Sequence, residues 1–265
     1  MLLDSSSHPT CDGRWTLDRP GMTHDQVAAD LAASGYAGGL AIGLPGVGGY
    51  EHRRFWELTR RHARLLPVAA LTRCDSPSAV QQDLDEIERV GYRLVKIHPR
   101  LLGYEQALEA LPMLMASCVA RGLGVLLCTY PEYRSDIDPA TARRIMADSI
   151  SADAACLVLH SGVLDPEPFA DVADANPRVL LDFSLSLLKY PDEVRPQVVR
   201  LGQRLPRSVC LGSDGPEWSY AQVAAALAAL SDAHLASGLG GTNLWRWMEA
   251  LDPQLLPPAL SEPLA

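Results

Sequence analysis

The chain has no segment rich in lysine and arginine, no Cys-x-x-Cys pair and no apolar run that approaches a membrane span. Each absence removes a class of function. Nucleic-acid binders carry a basic footprint for the phosphate backbone, whereas the formal net charge here is −9, so no nucleic-acid partner is expected. A spanning helix needs roughly 18 or more consecutive apolar residues, and no membrane association is expected. The N-terminus lacks a basic segment followed by an apolar one, the pattern of a secretory signal, which points to a soluble cytoplasmic protein. The six cysteines, Cys11, Cys74, Cys118, Cys128, Cys156 and Cys210, are scattered through apolar segments, so a disulfide framework is not expected and most read as small core residues. No G-x-G-x-x-G turn opens a helix after the first strand, which argues against a doubly wound dinucleotide-binding sheet.

What is present is a chain of 265 residues, 48% hydrophobic and 21% charged, enough for one large core. Eight short apolar runs, MLLDSS, GGLAIGL, LLPVAAL, YRLVKIH, GVLLCTY, ACLVLH, RVLLDFS and SVCLGSD, read as strands. Amphipathic segments separate them. In THDQVAADLAASG, Thr23 and Gln26 form a capping-box pattern, Val27 and Leu31 share a face, and Gly35 closes the helix. In SPSAVQQDLDEIERVG, Ser76 caps, Pro77 fits the first turn, Val80, Leu84 and Ile87 form the apolar stripe, and Gly91 ends it. Further helices are expected around 51–63, 105–121, 139–150, 166–175, 192–204 and 219–230, with a kink at Pro112. Eight strand-then-helix units with nearly continuous apolar strands imply a parallel sheet covered on both sides, most simply a single-domain (β/α)8 TIM barrel over residues 1–251. GTNLWRWMEAL, 241–251, adds a C-terminal helix, and residues 252–265 read as a Pro-rich tail.

Chemistry in this fold sits at the C-terminal ends of the strands, where residues two apart share a face. By that parity Asp4, Ser6 and His8 belong together on strand one, Lys96 and His98 on strand four, and Leu126 and Cys128 on strand five. Val158 and His160 pair on strand six, and Gly212 and Asp214 on strand eight. A strand-end histidine is more often structural than a ligand, and a buried cysteine more often packing. Five strands aiming such groups at one rim is a stronger signal. Arg100, Tyr130 and Trp218 follow strand ends and are candidates for binding substrate.

The segments DSSSH (4–8), VKIHP (95–99), GVLLCTY (124–130), LVLHSG (157–162) and LGSDGP (211–216) resemble, in order and spacing, the motifs of the amidohydrolase superfamily. The branch is amidohydrolase 2, TIM-barrel metal-dependent hydrolases and decarboxylases, and the resemblance spans nearly the whole chain. It implies zinc or another divalent metal held by His8, Cys128, His160 and Asp214, with Asp214, His160, His98 and Lys96 as catalytic groups. Two positions depart from the family pattern: Ser6 stands where the opening strand supplies a metal histidine, and Cys128 where the fifth strand supplies one. Thiolate is a good zinc ligand and serine a poor one, so a retained and a lost metal are both open.

The resemblance implies an enzyme that hydrolyses or decarboxylates a small carboxylate, amide or lactone, with an anionic small molecule as partner and a homo-oligomer as one assembly. A metal-independent lyase or cyclase on the same barrel, and an inactive barrel serving as an interaction subunit, are the alternatives.

Overall fold

The computed structural model describes residues 1–16 and 19–256. Eight strands, β1 Leu2–Ser7, β2 Tyr36–Ile42, β3 Leu65–Ala70, β4 Leu94–Ile97, β5 Gly124–Cys128, β6 Cys156–Leu159, β7 Val179–Asp182 and β8 Val209–Cys210, pair in sequence order. All the pairings are parallel. The sheet closes between β8 and β1 by an unusual seam. Because β8 has two residues, its ladder to β1 is confined to the rim, where His8 N donates to Gly215 O at 2.9 Å and Gly215 N to Ser6 O at 3.2 Å. Lower down, Leu211 N donates instead to Leu239 O at 3.0 Å, and Gly241 lies so close to Leu3 that a Cβ there would meet its nitrogen at 2.6 Å. Any larger residue at 241 would push this insert off β1.

The principal covering helices are α1 His24–Ala33, α2 His52–Thr59, α3 Pro77–Val90, α5 Tyr104–Ala120, α6 Pro139–Asp148, α7 Glu167–Ala175, α9 Pro191–Arg204 and α10 Tyr220–Ala228. Short pieces α4 Pro99–Leu102, α8 Ser186–Lys189 and α11 Ala233–Ser237 fill loops that carried no helical pattern. The capping box of Thr23 and Gln26 forms, and Gly91 takes the left-handed C-cap with φ 108°. Pro112, where a kink is expected, lies inside α5, which continues through it as one element. The terminal helix α12, Asn243–Leu251, lies across the N-terminal end of the barrel, where Leu244, Trp247 and Met248 join the inward-facing Leu3, Leu40, Val68, Leu94, Leu126 and Leu180. Beyond it, Pro253–Leu255 forms a turn that buries Leu255 in the same cluster; residues 257–265 of the expected tail lie outside the described residues. With the floor sealed, the opposite rim is the end left for chemistry.

The alternation holds from β2 to β5. Val95, Ile97, Val125 and Leu127 pack under the helices, while Leu94, Leu126, Lys96 and Cys128 point inward. It fails at two places. On β1 the register shifts between Asp4 and Ser7, so Ser5 reaches inward to Asp182 while Ser7 turns outward to Tyr220 of α10. Asp4 bonds with Ser7 and so does not share a face with Ser6 and His8, as simple parity requires. On β6 it is Leu157 and Leu159 that face inward and Val158 that faces the helices. His160 enters the mouth only because its φ of 65° turns the chain.

Candidate active site

His8, Ser6, Lys96, Cys128, His160 and Asp214 meet at the C-terminal rim. Asp214 is the hub. Its Oδ1 lies 3.4 Å from His8 Nε2, 3.9 Å from His160 Nε2, and accepts from Ser6 Oγ at 3.4 Å. Its Oδ2 makes none of these contacts, and the side chain keeps 13% exposure. Each imidazole is aimed by its far nitrogen. His8 Nδ1 lies 3.1 Å from Ile42 O and His160 Nδ1 3.2 Å from Ser184 O, and a carbonyl partner requires the proton there. Lys96 is held between β3 and β5, and its Nζ sits 3.4 Å from His8 Nε2. Cys128 lies close enough to His98 and His160 for both imidazoles to act on its charge.

These groups set one another's charge. Burial opposes ionisation of Asp214, but His160, His8 and Lys96 outweigh it and hold the carboxyl well below its usual range. Burial would likewise discharge His160, yet Asp214, Cys128 and Asp182 raise its pKa to about 9. The Cys128 thiol is pulled well down against its burial by His98 and His160. His8 moves the other way: burial and the neighbouring Lys96 lower it, so it is the neutral imidazole of the set. Lys96 is lowered by burial and supported by Cys128, Asp214 and Asp182.

The rim beyond these groups is aromatic and cationic. Tyr130 stands edge-on to His160 at 6.2 Å, with the Arg100 guanidinium 5.2 Å and the Lys189 ammonium 5.5 Å from its ring centre. Lys189 Nζ also donates to Tyr130 Oη at 3.1 Å, and Arg100 pairs with Glu132 at 3.3 Å. The indole N–H of Trp218 is buried without a protein partner, as is Nδ1 of His98. Trp15, which carried no signal in the sequence, lies 5.9 Å from the His8 ring and donates to Glu217 at 3.3 Å.

Two buried carboxylates lie behind the site: Asp182, which the sequence reading missed, and Asp4, which it placed on the face of Ser6 and His8. Asp182 accepts from Ser5 Oγ, Ser184 Oγ, Gly212 N and the His160 N–H, tying β7 to β1, to the segment after β8 and to the turn at His160. Asp4 accepts from Ser7, Ser213 N and Ser213 Oγ, next to Asp214, and burial pushes its pKa up to about 6. Asp182 stands at the end of an apolar strand, as Asp214 does, and that placement was a readable signal.

The donor set expected for zinc does not gather. Among the described residues no three His, Cys, Asp or Glu side chains form a group that could hold a metal ion. His8 and Asp214 are near enough to be two ligands of one ion. The set does not close on one ion: Ser6 supplies only a hydroxyl, His160 stands as a charged partner 3.9 Å from Asp214, and the Lys96 ammonium lies against the His8 nitrogen that would ligate. The residues present do not fit a divalent metal.

Searches of known proteins return likeness in fold. No protein-family model matches the chain, and no curated protein matches it in sequence. Among solved structures, a TIM-barrel protein from Bordetella bronchiseptica superimposes with a TM-score of 0.78 at 16% identity, over 94% of this chain and 99% of that one. A candidate 2-pyrone-4,6-dicarboxylic acid hydrolase from Pseudomonas putida gives 0.62 at 20% identity, over 94% and 96%. The 2,6-dihydroxybenzoate decarboxylase from Rhizobium gives 0.58 at 11% identity, over 92% and 98%. The barrel read from the strand pattern is therefore the fold, and its structural neighbours include hydrolases and decarboxylases of the amidohydrolase branch that the motifs resemble.

Proposed function

We propose that this chain hydrolyses a small anionic ester-like compound, a lactone in the first instance, at the rim around Asp214. The carrying observation is the asymmetry of that carboxylate: Oδ1 accepts from Ser6 and faces the charged His160, while Oδ2 is left for a water. Asp214 Oδ2 takes a proton from the attacking water, and the carbonyl carbon gains the hydroxyl. Positive charge on His160 and Lys96 faces the oxygen that becomes negative. The ring C–O bond then breaks, and His160, protonated up to about pH 9, donates to the departing alkoxide. Arg100 and Lys189 flanking Tyr130 suit a substrate that carries a carboxylate.

The test is turnover of a panel of carboxylated lactones, matched amides and aromatic carboxylic acids by the full chain. Lactone opening is expected, with kcat/KM falling above about pH 9 as His160 loses its proton. Asp214→Asn should lower it by about 10²–10⁴-fold with the melting temperature little changed. An equally active Asp214→Asn protein, or carbon dioxide release without ring opening, would overturn the reading.

A further inference from the structure

Lysine occurs at two positions in this chain, Lys96 and Lys189, among 23 basic residues; arginine supplies the rest. Both lysines stand at the catalytic rim, and Lys96 is 2% exposed. The choice of side chain is informative. An arginine head is a planar fork that needs several acceptors, whereas an ammonium is a compact point charge on a flexible stem. Lys96 is fixed on both flanks by strand pairing, Ala70 on β3 and Leu126 on β5, so its stem rises along the barrel axis. Its Nζ ends 3.4 Å from His8 Nε2, the atom whose lone pair is free because the proton sits on Nδ1 facing Ile42 O. Asp214 and Cys128, two of the other three donors expected around a metal, are close enough to act on its charge.

We propose that the Lys96 ammonium takes the place of a metal ion in this barrel: a cation tethered to β4, surrounded by His8, Asp214 and Cys128, that keeps a divalent ion out. Two departures in the donor set then have one cause. With the cation built into the chain, a second imidazole at position 6 has nothing to ligate, and a hydroxyl to Asp214 suffices. Cys128 is left to interact with His98 and His160. The exclusion of metal stands on this geometry alone; the further role of Lys96, drawing electron density from the substrate carbonyl, rests on the hydrolytic reading above.

The experiment is a zinc titration of the chelator-stripped full chain against a competing chromophoric chelator, with circular dichroism to confirm folding. Wild type and Lys96→Arg, which keep the charge, should take up no stoichiometric zinc at the rim. Lys96→Met should gain one equivalent, bound at least tenfold more tightly than by wild type, and adding His8→Ala should abolish that gain. Lys96→Gln, neutral and polar, serves if the methionine variant does not fold. One tightly held equivalent in wild type, no gain in either neutral variant, an equal gain in Lys96→Arg, or a gain that survives His8→Ala would each overturn the proposal. If zinc behaves as expected while wild type opens no lactone, the exclusion stands and the hydrolytic reading falls.

Discussion

The two halves of the barrel deliver their functional groups by different means. From β2 to β5 the strands alternate without interruption, and Lys96 and Cys128 arrive at the rim by parity alone. From β6 round to β1 the backbone departs from regularity at almost every strand end. Among the described residues, all the non-glycine residues with positive φ lie in this arc: His160 at 65°, Ser161 at 40°, Val163 at 64°, Leu185 at 61° and Asp214 at 52°. The β1 register shift and the two-residue β8 fall there too. Each such residue costs on the order of 1–3 kcal/mol and persists only where its surroundings impose it. Here the surroundings are Asp182 and Asp4, which accept the donors that the broken ladder leaves over. The regular arc supplies charge on a rigid wall; the irregular arc bends the carboxylate and His160 toward one point.

Removing a brace from the irregular arc should give the largest effect. Asp182→Ala leaves Ser5, Ser184, Gly212 N and His160 N without their acceptor, and should cost about 3–5 kcal/mol by urea unfolding. Turnover should fall with it, since the His160 turn loses its anchor. A loss under about 1 kcal/mol would mean that the arc is held by something else.

The comparison sharpens when one substitution is made in both halves. Val125 is fully buried in a regular strand, so Val125→Gly should cost about 3–4 kcal/mol through lost burial and backbone entropy. Val163 is also buried, but at φ 64° it occupies backbone that suits glycine, so Val163→Gly should cost less than about 1 kcal/mol. Equal costs would show that the positive φ carries no strain.

A pH dependence is expected in the seam. Asp4 has a folded pKa of about 6 against an ordinary 3.8, so the folded chain holds a proton that the unfolded chain releases. Its contribution is full below about pH 4 and is lost as pH rises through about 6, amounting to about 2–3 kcal/mol. Asp4→Asn should flatten that part of the stability profile, read as the wild-type minus variant difference in unfolding free energy from pH 4 to 7. A difference that grows in favour of wild type over this range would reverse the sign and place Asp4 among the ordinary stabilising carboxylates.

Much of the fold and part of the site were legible beforehand. Eight apolar runs separated by capped amphipathic segments lead to a parallel sheet covered on both faces, and eight such units most simply close into a barrel. Lys96 and Cys128 could be aimed from residue spacing, since alternation there is undisturbed, whereas Asp214 reaches the expected rim through a positive-φ turn beyond the short β8. His160 was assigned to the right place for the wrong reason: Val158 faces the helices, and a left-handed residue, invisible to periodicity, turns the histidine inward. Asp4 was misplaced for a similar reason, because a bulge moves every later side chain to the other face.

By itself the sequence determined the barrel, the rim on which chemistry gathers and the residue types found there, for these follow from local pattern and burial. Only the tertiary structure decided which nitrogen of each imidazole faces Asp214, that the expected zinc ligands do not close on one point, and that the Lys96 ammonium stands against His8. Those are distances between strands far apart in the chain, set by bulge, turn and seam, and nothing in the spacing of residues along a single strand encodes them.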